Sequence, residues 1–137
     1  MIIFNFETDF SLDKSDFIGN WVVNSIEKED YKEGEINYIF CNDEYLLELN
    51  VKHLNHNELT DIISFDYTLG RLISGDIFIS IDRVKENALK FKTSFNDELL
   101  RVMIHGVLHF CGYKDKAKEE KIIMRKKEDY YLSLRDF

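Results

Sequence analysis

The sequence predicts a single α/β (α+β) domain built on a four-stranded mixed sheet flanked by about five helices. Apolar residues recur with period two or period 3.6 in the order strand, helix, strand, helix, strand, strand, helix, helix, helix. The 137 residues are 45% hydrophobic and 14% aromatic, enough for one core and too apolar for a disordered chain. No repeat, low-complexity tract or linker interrupts them and proline is absent, so residues 1–137 are expected to fold as one unit.

Met1 to Phe6 carries the alternation of a first strand. A helix follows from about Ser15 to Lys28, with Ser11, Asp13 or Ser15 as candidate caps and Phe17, Ile18, Trp21, Val22 and Ile26 as the predicted buried stripe. Gly34 and the charged run Glu27 to Glu35 mark its exit. Glu35 to Cys41 reads as the second strand. Asn42 followed by two acids suits the positive end of a helix dipole, and that second helix should reach about Leu54. Asp61 to Tyr67 alternates as a third strand. After the breaks at Gly70 and Gly75, Asp76 to Ile81 shows little alternation, the mark of a strand buried on both faces and therefore central. Three helices complete the chain. They run from about Ile81 to Phe91, from about Asn96 to Cys111 with Ser94 or Asn96 as cap, and from about Lys116 to Leu134 with Ile123, Tyr130 and Leu134 docking it.

The longest statement about chemistry comes from His105-Gly106-Val107-Leu108-His109-Phe110-Cys111-Gly112-Tyr113-Lys114-Asp115. Residues four apart lie one above the other on a helix, so both imidazoles can reach one ion. Gly112 can take the left-handed conformation that ends a helix and bring Asp115 toward the same point. Three protein ligands and an open position make a catalytic pattern of metal binding. The helix is apolar on nearly every side, and a buried unpaired imidazole costs roughly 1–3 kcal/mol, so a shared ion also answers why two histidines are there. Neutral imidazole is the ligating form, so affinity should fall as pH drops through the histidine range.

The spacing also excludes chemistry. In the zinc-protease motif H-E-x-x-H a glutamate general base follows the first histidine, and here that position is Gly106. A peptidase needs that base to take a proton from water and return it to the leaving amine, whereas phosphodiester hydrolysis expels an alkoxide that a metal can assist. The site leans toward phosphate chemistry.

The formal net charge of −8 runs against nucleic-acid binding, but its distribution is uneven. Residues 1–61 hold 14 Asp and Glu against 4 Lys, while the remainder is slightly basic and places Lys114, Lys116, Lys118, Lys121, Arg125 and Lys126 in and just after the motif. Because Glu119, Glu120, Glu128 and Asp129 are interspersed, two readings stay open: a solvated, salt-bridged helix face, or a phosphate-binding surface. No apolar run nears the roughly 18 residues of a membrane span, and the N-terminus lacks the pattern of a secretory signal, so a cytosolic protein without membrane contact is expected. Cys41 and Cys111 form no C-x-x-C pair and read as buried free thiols.

The motif resembles the H-G-x-L-H-L-x-G-Y-D-H signature of the YbeY family of bacterial endoribonucleases. Thr60-Asp61-Ile62-Ile63-Ser64-Phe65 is similar to that family's T-D-V-L-S-F strand, and Gly75-Asp76-Ile77-Phe78-Ile79 to its G-D-I-x-I strand. The resemblance implies a single-strand-specific, metal-dependent endoribonuclease acting in 16S rRNA 3'-end maturation and ribosome quality control, with single-stranded RNA and the ribosome or its proteins as partners. It implies one divalent ion, expected to be zinc, held by His105, His109 and Asp115. Asp115 stands where the family has a third histidine, and two imidazoles with one carboxylate also suit Fe, Mn or Ni. The family's arginine before the T-D-V-L-S-F strand falls on Leu54, with Lys52, His53 or His56 as possible substitutes. Ser64 and Asp76 are candidates for orienting a ligand histidine or touching substrate. Two rival functions are a zincin-like metallopeptidase and a non-catalytic ribosome-associated factor stabilised by its metal.

Overall fold

β2 (Lys32–Cys41) and β4 (Leu72–Ser80) run parallel through the middle of the sheet in the computed structural model, which describes residues 1–55 and 58–137. β1 (Ile2–Phe6) lies parallel to β2 at one edge, and β3 (Ile62–Asp66) runs antiparallel along β4 at the other. The order is β1-β2-β4-β3, the mixed four-stranded sheet that the sequence predicts, with β4 inside it. α1 (Ser15–Lys28) makes the crossover between the parallel strands β1 and β2, which no tight turn could join.

Both central strands begin earlier than predicted. β2 starts at Lys32 rather than Glu35 and β4 at Leu72 rather than Asp76, so Gly34 and Gly75 lie inside strands instead of ending elements. Their smallness serves close approach. A Cβ on Gly34 would collide with the Ser74 hydroxyl, and one on Gly75 with the Phe65 carbonyl and with the Phe110 ring, 2.6 Å from Cζ. The β2–β4 register shifts between Glu33 and Ile36, where the strand absorbs the irregularity.

The main core lies between the sheet and three helices: α1, α3 (Ile81–Phe91) and α4 (Phe95–Phe110). α5 (Lys118–Ser133) packs on α4 from outside, and α2 (Asp43–Leu54) covers the opposite sheet face, where Leu46 meets Cys41 and Ile63. Asn42 caps α2 as predicted, its side chain accepting from the Tyr45 N–H at 2.9 Å. Of the two candidates for α4, Ser94 is the cap, accepting from the Asp97 N–H at 3.1 Å.

α1 buries four of its five predicted residues, Ile18, Trp21, Val22 and Ile26, and α5 buries a different stripe from the predicted one. α1 begins at Lys14 in a left-handed conformation with no side-chain cap, so none of Ser11, Asp13 or Ser15 serves, and Phe17 is 57% exposed while Ser25 is buried. In α5 the buried residues are Met124, Glu128 and Tyr131, and Ile123, Tyr130 and Leu134 are exposed. The cause is polar. Glu128 turns inward to meet His105 and Arg101 of α4, and that requirement rotates the helix away from its most hydrophobic face.

Candidate metal centre

α4 lies against the sheet because Gly106 lets it. A Cβ there would sit 3.0 Å from Ile77 Cδ1 and 3.1 Å from Ile62 Cδ1, so any side chain at the position that carries a protease's glutamate would crowd both isoleucines. The helix ends at Phe110, and Gly112, at φ +99°, turns the chain back as its position predicts. That return places Asp115 beside both imidazoles, and the three side chains line a groove of about 430 Å³.

Each histidine is held through its δ nitrogen. His109 Nδ1 lies 2.9 Å from the Tyr113 carbonyl, which can only accept, so this nitrogen carries the proton. His105 Nδ1 donates to Glu128 Oε2 at 2.6 Å. The ε nitrogens therefore face inward, 3.0 Å apart, with Asp115 Oδ2 at 3.0 Å from His105 Nε2 and 3.3 Å from His109 Nε2. Four ligands at about 2.0–2.1 Å around a tetrahedral ion stand about 3.3 Å apart, so this triangle fits one face of a zinc-sized coordination shell. Two neutral imidazole lone pairs and a carboxylate oxygen at this range repel one another unless a proton or a metal ion lies between them. The donor set, its spacing and the solvent-facing side of the groove together fit one divalent ion with an open position.

A family model described as Endoribonuclease YbeY matches residues 4–135. The chain belongs to the YbeY family. It is 59% identical over 134 residues to Endoribonuclease YbeY of Flavobacterium psychrophilum, covering 98% of this chain and 96% of the relative. With the protein of that name from Flavobacterium johnsoniae the identity is 56%, over the same shares of the two chains. The solution structure of TM1509 from Thermotoga maritima superposes with a TM-score of 0.67 at 25% identity, covering 97% of this chain and 90% of that one.

The segments that resemble the YbeY strands sit against the histidines. Thr60, Asp61, Ile62 and Ser64 line the groove, whereas Asp76 lies on the opposite face of the sheet, accepting from Asn37 Nδ2 at 3.0 Å. Of the two candidates from sequence, only Ser64 reaches the site. Where the family has its arginine, Leu54 is exposed, and His53 stands edge-on to Phe65 on the side of the sheet away from the groove. His56 lies outside the described residues. Guanidinium groups come instead from Arg101 of α4 and Arg125 of α5, both lining the groove. Arg101 is spoken for by Glu128 at 3.0 Å and Asp129 at 2.7 Å, while Arg125 is 59% exposed and only 3.7 Å from Glu128.

Sequence reasoning missed the supports of the site. Glu128, read as part of a solvated face, is buried and bonded to both His105 and Arg101. The Tyr113 carbonyl is fixed by Tyr113's own hydroxyl, which donates to Glu29 Oε1 at 2.6 Å, and Glu29 also receives Lys127 and the Tyr131 hydroxyl. Burial would raise the Glu29 carboxyl, but these hydrogen bonds and the Lys127 charge hold it below its usual range. At His105 burial opposes the charged ring, yet the Glu128 hydrogen bond and the charges of Glu128, Asp115 and Asp61 raise its pKa. Burial pushes the Asp61 carboxyl up. Cys41 and Cys111 are buried free thiols pushed up to about 12, mainly by burial, which leaves them inert. Among the described residues no helix is long and apolar enough to cross a membrane.

Proposed function

We propose that the protein is a single-strand-specific, metal-dependent endoribonuclease acting in the cytoplasm on ribosomal RNA, in 16S 3'-end maturation and ribosome quality control. The observation that carries the reading is the inward-facing triangle of His105 Nε2, His109 Nε2 and Asp115 Oδ2, in a chain of the YbeY family. His105, His109 and Asp115 are the proposed ligands, and zinc is the expected metal, with Fe, Mn and Ni also suited to this donor set. When bound, such an ion supplies a Lewis acid that lowers the pKa of water and polarises a phosphoryl oxygen.

The chain's own groups do the rest. Glu128 and the Tyr113 carbonyl keep the δ protons in place, so the ε lone pairs stay directed at the ion. Arg125 offers the exposed guanidinium that a phosphate needs and takes the part of the family's arginine. Ser64, on the wall formed by β3, is within the groove to meet substrate. A metallopeptidase would need a base at position 106, where this chain has a glycine packed closely on Ile62 and Ile77.

The test joins elemental analysis of untreated protein to cleavage of single-stranded RNA. Wild type should carry stoichiometric metal and cleave, and His109→Ala should lose both. Cleavage undiminished in that variant overturns the reading. End-group analysis of the fragments distinguishes attack by water from attack by the RNA's 2'-hydroxyl.

A further inference from the structure

The mixed charge of α5 separates by face. Of its acids, Glu120 closes the helix start by accepting from the Ala117 N–H at 2.8 Å, Glu128 is buried on His105 and Arg101, and Asp129 binds Arg101. Lys127 is likewise committed, to Glu29 at 3.0 Å. What remains on the exposed side is Lys116, Lys118, Lys121, Arg125 and Lys126 with Glu119 as α5's one acid outside those contacts. Among the described residues no carboxylate lies within ion-pair distance of any of these four lysines. In a chain of net charge −8, such a shelf of unneutralised cations is a local reversal of sign.

The shelf joins the metal groove. Arg125 lines both, and from Lys118 to Lys126 the helix runs about 12 Å at 1.5 Å per residue. The same groove is lined by Phe91, at the end of α3, a residue that is 53% exposed. An exposed ring next to a cationic track is what an unpaired base and its phosphates require: the backbone is held by charge, and the base by its π face.

We propose that single-stranded RNA crosses the groove with its phosphates along Lys118, Lys121, Arg125 and Lys126 and with a base stacked on Phe91. This rests on the ribonuclease reading above and names the substrate contacts of that site. Charge complementarity and the aromatic ring favour RNA over an acidic protein, which would use the cations but have no call on Phe91.

The two kinds of contact separate in salt. Metal-loaded protein is titrated with a short fluorescein-labelled oligouridylate, with anisotropy read before measurable cleavage, from about 50 to 200 mM salt. Each lost phosphate contact to a single strand removes about 0.7 from the slope of log affinity against log salt. The variant with Lys118→Gln, Lys121→Gln and Lys126→Gln should therefore lose about 2 from that slope, with metal content and melting temperature unchanged. Phe91→Ala should weaken binding roughly 5- to 150-fold at every salt concentration and leave the slope as it was. A triple variant with wild-type slope and affinity overturns the α5 track and leaves that surface to an acidic protein partner. Wild-type affinity in Phe91→Ala overturns the stacking contact. In both cases intact RNA cleavage by wild type keeps the nuclease reading, whereas wild type that neither binds nor cleaves RNA removes that reading and this proposal together.

Discussion

Glu128 of α5 reaches across to α4 and places its carboxylate 2.6 Å from His105 Nδ1, so the fifth helix, 23 residues on from His105, sets the orientation of the first proposed ligand. A carboxylate behind a ligating imidazole fixes the tautomer and raises the basicity of the nitrogen that faces the metal. Glu128→Ala should lower zinc affinity about 10- to 100-fold, the range usual for such supports, measured by competition with a chromophoric chelator. Glu128→Gln should lose less, because the amide oxygen still accepts from Nδ1. Equal affinity in wild type and Glu128→Ala would show that the helix contact is only packing.

Glu98 offers a test in pH. It is buried on the same helical face as the histidines, two turns before His105, and burial raises its pKa above the ordinary 4.5, with Asp61 and Glu128 adding to the rise and Arg101 and Arg125 opposing it. A carboxyl whose folded pKa is raised stabilises the fold fully below its unfolded value, and that contribution is lost as pH rises through the folded value. Glutamine cannot ionise. Glu98→Gln should therefore melt above wild type at about pH 8, and the gap should close as pH approaches about 4.5. A constant gap across that range would place the effect in packing rather than ionisation.

The clustering of His105, His109 and Asp115 was legible in the sequence because all of its geometry is local: one helical turn separates His105 from His109, and the Gly112 bend returns Asp115 to them. Element order and the central place of β4 were legible through periodicity. The supports were not, since the bond between Glu128 and His105 depends on how α5 rotates against α4, and periodicity counts a buried glutamate as a surface residue. The strand starts failed for a related reason. Gly75 punctuates a sequence, but in the sheet its missing side chain admits the Phe110 ring and the Phe65 carbonyl, neighbours contributed by other elements. The charge of α5 shows the same limit, because composition reports mixed signs and only packing reveals which acids are consumed inside.

Asp115 is where this chain departs from the three-histidine signature, and the departure should be visible in metal choice. Its Oδ2 already stands 3.0 and 3.3 Å from the two ε nitrogens, so the loop is placed for ligation and only the donor differs. A carboxylate oxygen is a harder donor than imidazole and suits manganese comparatively well, whereas a third imidazole favours zinc. Asp115→His should therefore keep a bound metal while raising the preference for zinc over manganese, read by elemental analysis after equilibration with both ions, and Asp115→Ala should weaken binding of either. The longer imidazole must fit on a half-buried loop whose far side is held by Tyr113 and Glu29, so a fall in melting temperature of Asp115→His without metal is compatible with the prediction. An unchanged zinc-to-manganese ratio is not, and it would mean that the site's selectivity is set by the two histidines and the shape of the groove rather than by the third donor.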